Sequence, residues 1–380
     1  MAVTAFRLSR SPALAFAAMG AMWGAFAALV PELKGRLAAG DAEFGAALLF
    51  SAFGLVLSMW LAPVVAGKLG MRALSLSMAA LAGAFLLPAL APGLPLLAAA
   101  MLALGMISGL TDILANARVS EIEAHSGRAL MNLNHGLFSA AYAAAAVATG
   151  AAREVGAEPV TVFAVLAAVT IAATPGMRSE WCAEPSVPDP APQGGNGRIV
   201  VWIGLILLVA FFAENAAEAW SALHVERTLG GRAAEGALGP AMLGATMAVG
   251  RFSGQVVASR LPEIVVLKWA ALLSAAGAAL AALAPVILGA YLGFALLGLG
   301  LSVLAPLALA LVGRRVAAAA RTRAIARVSA IGFLGYLVAP LLMGVVSELG
   351  GLRLSFLAVA GLLLLIPVML VPLRRDGARG

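Results

Sequence analysis

Between residues 199 and 210 the chain reads IVVWIGLILLVA, with no charge and no polar group beyond one indole, and runs of this kind recur throughout the sequence. No other feature limits the fold as strongly. An α-helix needs about 20 apolar residues to cross a hydrocarbon core of roughly 30 Å, and only helices or closed barrels satisfy their backbone polar groups inside lipid. Barrel strands would be shorter and would alternate in polarity. These runs are continuous, so helices are expected. Composition points the same way: 62% of residues are hydrophobic, 11% are charged and the mean hydropathy is +1.01, far from the balance of a soluble domain.

Twelve spans are expected, at about 11–31, 45–66, 73–91, 94–118, 130–151, 158–177, 199–223, 237–258, 265–284, 286–312, 324–346 and 353–373. Short connections such as APGLP near residue 93 make consecutive spans antiparallel neighbours. The exception is RSEWCAEPSVPDPAPQGGNGR at 178–198, whose proline, glycine and charge content predicts a flexible linker. The chain therefore divides into six-helix bundles at 1–177 and 199–380. Short echoes support a duplication: GAALL at 45–49 and GPAML at 239–243 share G-x-A-x-L at an offset of 194, and RAL at 128 recurs as RAI at 323, an offset of 195. The fold expected is an all-α membrane protein with two pseudo-symmetric bundles and a cavity between them near the bilayer midplane.

Basic residues orient the chain, since Lys and Arg are retained on the cytoplasmic side. With residue 1 inside, 19 of the 25 Lys and Arg residues fall on cytoplasmic segments. The net charge of +7 is thereby accounted for by membrane topology, without a nucleic-acid partner. The expected location is a bacterial inner membrane, with both ends of the chain cytoplasmic. MAVTAFRLSR is read as a short basic lead, and the stretch at 315–327 as a cytoplasmic basic loop with secondary contact to anionic headgroups.

Enzymatic chemistry has no foothold in the sequence. A lone Cys182 excludes an intrachain disulfide and cysteine metal sites. His125, His135 and His224 lie far apart without metal-ligand spacing. GxSxG, P-loop and dinucleotide-binding motifs in their proper context are missing. No metal or cofactor is expected.

Polar residues inside the spans carry the functional reading. In FFAENAAEAW at 211–220, Phe211, Glu214, Glu218 and Ser221 are spaced 3, 4 and 3 and share one helix face. Two ionised carboxylates at that spacing repel each other. Glu214 is therefore expected to exchange a proton during transport, while Glu218 sits at the wetter cavity mouth or caps the outer gate beside Trp220. In the fourth span, Gly105, Gly109, Asp112 and Asn116 form a second stripe. Its glycines allow close helix approach, but an acid near a helix centre costs roughly 2.5 to 3.5 kcal/mol on insertion scales. Asp112 is read as a coupling carboxylate, the structural alternative being an ion pair with Arg118 or an arginine of span eight. Asn132, Asn134 and His135 open the fifth span as helix-capping residues or polar cavity groups. Arg251 and Gln255 share a face of the eighth. For Arg251 a structural ion pair that closes the inner gate is favoured over anchoring a substrate carboxylate. Trp23 and Trp220 are candidates for stacking on a substrate ring, and Trp220 equally for interfacial anchoring. Asn116, Asn134, His135 and Asn215 complete the candidate substrate groups.

By span count, six-plus-six division and linker position the chain resembles the major facilitator superfamily. GMISGLTDILAN at 105–116, ALMNLNHGLFSAAY at 129–142 and AENAAEAW at 213–220 resemble its fucose permease-like and bypass-of-stop-codon-like branch, where an acid precedes an Asn by four residues in span four. Asp112 and Asn116 fit that pattern. GRFSGQVVASR at 250–260 retains part of the superfamily's loop consensus. The resemblance implies a secondary transporter that moves a small polar solute, sugar-like or an organic acid, by proton symport and alternating access. The partners expected are the solute, protons and the bilayer, with a single chain as the working unit. Two alternatives stay open: proton-coupled efflux of amphipathic compounds, and a membrane sensor that does not transport.

Overall fold

The computed structural model describes residues 2–178, 197–258 and 261–375. Most of the expected linker, 179–196, lies outside the described residues. Among them the secondary structure is helical, apart from turns. After a short helix at Ala2–Leu8 the first half holds α1 (Arg10–Arg36), α2 (Asp41–Leu69), α3 (Ala73–Ala84, continued by Leu86–Leu90), α4 (Leu94–Ser126), α5 (Met131–Glu154) and α6 (Pro159–Ala173). The second half holds α7 (Gly197–Leu223), α8 (Ala233–Ala258), α9 (Glu263–Leu283) and α10 (Ile287–Arg315). It closes with the helical stretch Ala318–Leu363, which breaks at Gly350 and Gly351 into α11 before the break and α12 after it, the latter continued by Leu365–Met369 and Val371–Arg375. Gly351, at φ +75°, adopts the left-handed conformation that an L side chain resists.

Eight stretches are long and apolar enough to cross a membrane. Two of these, 41–90 and 323–373, each contain two passes joined at a glycine break. The remaining passes, α5 and α8, are diluted by the polar residues on which the site is built. Helices extend beyond the apolar runs at several ends. Hydropathy loses α4 near residue 118, yet the helix continues to Ser126, because VSEIEAHS is a good helix former that no longer needs lipid. The expected loop at 315–327 is likewise helical from Ala318 onward.

The α4–α5 turn shows how local chemistry sets the site. Gly127, at φ +65°, ends α4 and donates its N–H to the Glu123 carbonyl at 2.9 Å. The Glu123 carboxylate then accepts the backbone N–H groups of Leu130 and Met131 at 2.5 and 2.8 Å. An acid thus caps the start of α5, fixing the phase at which His135 and Ser139 leave it.

The two halves touch chiefly along α2 against α11 and α5 against α8, with α1 meeting α7 between them. This pairing is what the sequence echoes require. The offsets near 194 equate α2 with α8 and α5 with α11, so a two-fold operation turns the α2–α11 contact into the α8–α5 contact. Close approach is built from glycine: a Cβ on Gly45 of α2 would collide with the Pro340 carbonyl of α11, and one on Gly344 with the backbone of Asp41.

Candidate functional site

Glu214 of α7 faces Arg251 of α8, carboxylate to guanidinium, at 3.2 Å. The same guanidinium reaches over the boundary between the halves to α5, donating to the Ser139 hydroxyl and, at 3.4 Å, to the His135 carbonyl. The His135 ring Nε2 lies 3.1 Å from the Asn116 amide oxygen on α4, and its ring packs on Phe16 with centroids 4.7 Å apart. The Asn116 amide donates to the backbone carbonyl of Asp112 at 2.9 Å. One continuous polar path thus runs from Glu214 in the second half to the helical turn that carries Asp112 in the first. The arginines considered as partners for Asp112 are engaged elsewhere: Arg118 pairs with Glu121 at 2.5 Å and Arg251 with Glu214. The lower half of the glycine stripe has a packing role, because Gly105 and Gly109 abut Ser51, Leu55 and Ser58 of α2.

One turn further along α7, Glu218 faces a small cavity between the halves, about 50 Å³ in volume. That is room for a few waters. Trp23 and Phe26 of α1, Met101 of α4, Tyr142 of α5 and Asn215 of α7 share its wall. Trp23 spends its indole N–H on the Ser108 hydroxyl at 3.0 Å and meets Phe26 edge to face at 5.5 Å. Among the described residues Glu218 has no hydrogen-bond or ion-pair partner, and the Tyr142 hydroxyl and Asn215 amide oxygen are buried without one.

The remaining predicted residues fall away from this cavity. Trp220 is fully buried, edge-on to Phe44 with centroids 6.4 Å apart, and sits within the packed core. Asn134 is also buried, and its amide returns to the Leu130 carbonyl at 2.8 Å in a capping arrangement. The side chain of Gln255 lies outside the described residues. A larger concavity of about 550 Å³ lies at one end of the first half, where Arg7, Arg10, Arg118 and Arg178 line it away from the α5–α8 boundary.

Sequence reading passed over a second set of charges. At the end of the bundle carrying the α1–α2, α5–α6, α7–α8 and α11–α12 turns, here termed distal, ion pairs cross between the halves. Asp41 at the start of α2 receives Arg227 at 2.6 Å, Lys34 at 3.0 Å and the Ser347 hydroxyl at 2.5 Å. Arg153 at the end of α5 pairs with Glu226 at 2.6 Å and lies 3.4 Å from Glu32, while Arg232 reaches Glu154 at 3.3 Å. At the opposite, proximal end, two ion pairs stay within one half: Arg118 with Glu121 and Arg314 with Glu263. Ser139 carried a signal that was available, one turn after His135 in a stretch already singled out. For Asp41 no periodicity indicates which distant charge it meets.

A protein of Yersinia pestis described as an uncharacterized MFS-type transporter is 31% identical over 94% of this chain and 93% of its own length. The chain belongs to the Major Facilitator Superfamily. The superfamily model itself matches residues 203–380. The membrane protein MosC of Rhizobium meliloti is 26% identical over 94% of this chain and 88% of its own length. Among solved structures, a bacterial homolog of the human lysosomal transporter Spinster, inward-facing and occupied, superposes with a TM-score of 0.75 at 13% identity. The match covers 97% of this chain and 96% of that one. The nucleoside transporter NupG superposes at 0.72, with 14% identity over 96% of this chain and 99% of its own. At those identities the structures speak for the fold alone. A superfamily member with two facing bundles and a polar path between them is a secondary transporter of the multi-pass membrane class.

Proposed function

We propose that the chain moves a small polar solute across a bacterial inner membrane by proton-coupled alternating access, with the distal end facing outward. The observation that carries this reading is the bond made by Arg251: one guanidinium holds Glu214 of its own half and Ser139 and His135 of the other. Protonating Glu214 removes the charge that anchors Arg251 and frees it from the cross-half contact. A proton gradient then biases the equilibrium between two facing states. Asp112, one turn from Asn116, serves as the inner proton station, reached through His135. The charge bias of the loops supports cytoplasmic ends for the chain. The resemblance to the fucose permease-like branch supports symport over efflux.

The test is uptake by purified protein in proteoliposomes under an imposed pH gradient. Wild-type protein accumulates solute and loses accumulation on addition of a protonophore. Glu214→Gln retains exchange without a gradient but loses gradient-driven accumulation. If Glu214→Gln and Asp112→Asn both accumulate solute at the wild-type rate, carboxylate coupling is wrong; solute extrusion in place of uptake selects the antiport alternative.

A further inference from the structure

The central cavity is lined by the acid Glu218 and by oxygens that no donor meets. One turn along α7, Glu214 is held by the guanidinium of Arg251. That guanidinium is already committed to Glu214, Ser139 and the His135 carbonyl. Glu218 at the cavity wall has no partner among the described residues, and two further oxygens beside it, on Tyr142 and Asn215, are unmet. Buried oxygens of this kind cost free energy until a donor reaches them.

The opposing wall is aromatic. Trp23 and Phe26 of α1 line the same space as Glu218, and the Trp23 N–H is already tied to Ser108. A carboxylate set opposite aromatic faces attracts cations. Adjacent acceptor oxygens favour a cation that carries N–H groups.

We infer that the solute is a small primary ammonium compound, bound through Glu218 with its N–H groups directed to Tyr142 and Asn215. The inference rests on the transporter reading above and narrows its solute. An organic acid would bring a second carboxylate to Glu218 and find no uncommitted cation among the described residues that line the cavity. A neutral sugar would lack the charge that strengthens a bond to Glu218.

The full-length protein in detergent tests this by thermal shift, because a ligand that binds only the folded state raises its melting point. Ethanolamine, ethylene glycol and glycolate share a two-carbon skeleton suited to the small cavity and differ in charge; choline replaces the N–H-bearing ammonium by a quaternary one. Ethanolamine is expected to stabilise the protein, choline less so, and ethylene glycol and glycolate not at all. Glu218→Gln should weaken the ammonium response about tenfold or more, the scale of a lost charge-assisted bond, and should not lower the unliganded melting point, since it removes an unpartnered buried acid. If that variant folds poorly, Tyr142→Phe provides the second reading, a weaker ethanolamine response with little change for choline. Equal stabilisation by ethylene glycol or glycolate, no response to ethanolamine, or an ammonium response that survives Glu218→Gln overturns the inference. Gradient-driven flux of a neutral or anionic probe, with no ammonium response, overturns it while leaving the transporter reading intact. Ammonium binding without any flux removes the transporter reading instead.

Discussion

The distal end and the membrane interior both join the two halves by charge, but in opposite styles. At the distal end Asp41, Arg153 and Glu154 each have a partner in the other half, and several of the side chains remain wet: Arg227 is 41% exposed and Arg232 is 71% exposed. In the interior a single arginine, 16% exposed, makes the connection. Exposed pairs such as Arg232 with Glu154 are individually worth about 0 to 1 kcal/mol; Asp41 and Arg153 are each only 6% exposed but divide their charge among several partners, so the distal clamp holds by number and gives way piecemeal. A buried pair that loses one partner costs about 3 to 5 kcal/mol, because the other charge is left without solvent or counterion. Redundancy suits a seal that must open in every cycle. A lone buried pair suits a switch that one proton throws.

The largest effect is expected at the switch. Arg251→Met alone should lower stability by about 3 to 5 kcal/mol by stranding Glu214, and Arg251→Met with Glu214→Gln should recover most of that loss in a double-mutant cycle of thermal unfolding. A single variant that melts like wild type would erase the distinction between the two regions.

Next in size is Asp41→Asn, which weakens contacts to Arg227, Lys34 and Ser347 together. A shift of about 1 kcal/mol multiplies the minor, distally open population about fivefold. In a background with Cys182 replaced by Ser, a cysteine at Leu48 in the cavity wall should then react correspondingly faster with a membrane-impermeant maleimide.

Salt should separate the regions without mutation. Raising ionic strength to 1 M shortens the screening length from about 8 Å to about 3 Å, so maleimide labelling at position 48 should rise by less than in Asp41→Asn. The coupling measured between Arg251 and Glu214 should stay unchanged. Smallest of all is Arg232→Ala at the exposed rim, expected to change stability by less than about 0.5 kcal/mol and labelling not measurably. A large response there would mean that the clamp is cooperative and not a set of independent pairs.

The all-helical membrane fold was legible in the sequence from apolar run length, and G-x-A-x-L recurring near residues 45 and 239 agrees with the paired contacts of α2 with α11 and α5 with α8. Glu214, Glu218, Asp112 and Arg251 also stood out, because a charge inside an apolar run is conspicuous in one dimension. What one dimension conceals is partnership. Arg118 lies six residues from Asp112 but turns to Glu121, and Asp41 meets an arginine 186 positions away. Trp220 shows the complementary limit. It shares a helix end with Glu218, yet its rotation about that helix carries it into the core beside Phe44, and a span predicted from hydropathy has no rotation. Helix ends were missed at 118 and 318 for a related reason: hydropathy detects where lipid stops, and a helix need not stop there.

The paired contacts of α2 with α11 and α5 with α8 have the form of an isologous dimer interface written into one polypeptide. Two separate six-helix chains, cut within 179–196, would carry the whole of that interface between them. The distal charges would then govern which chains assemble. Asp41 and Glu154 of the first half meet Arg227 and Arg232 of the second, and two copies of the same half would have no such matching. Where glycine contacts alone would accept either mate, the clamp becomes a device for recognising the unlike half.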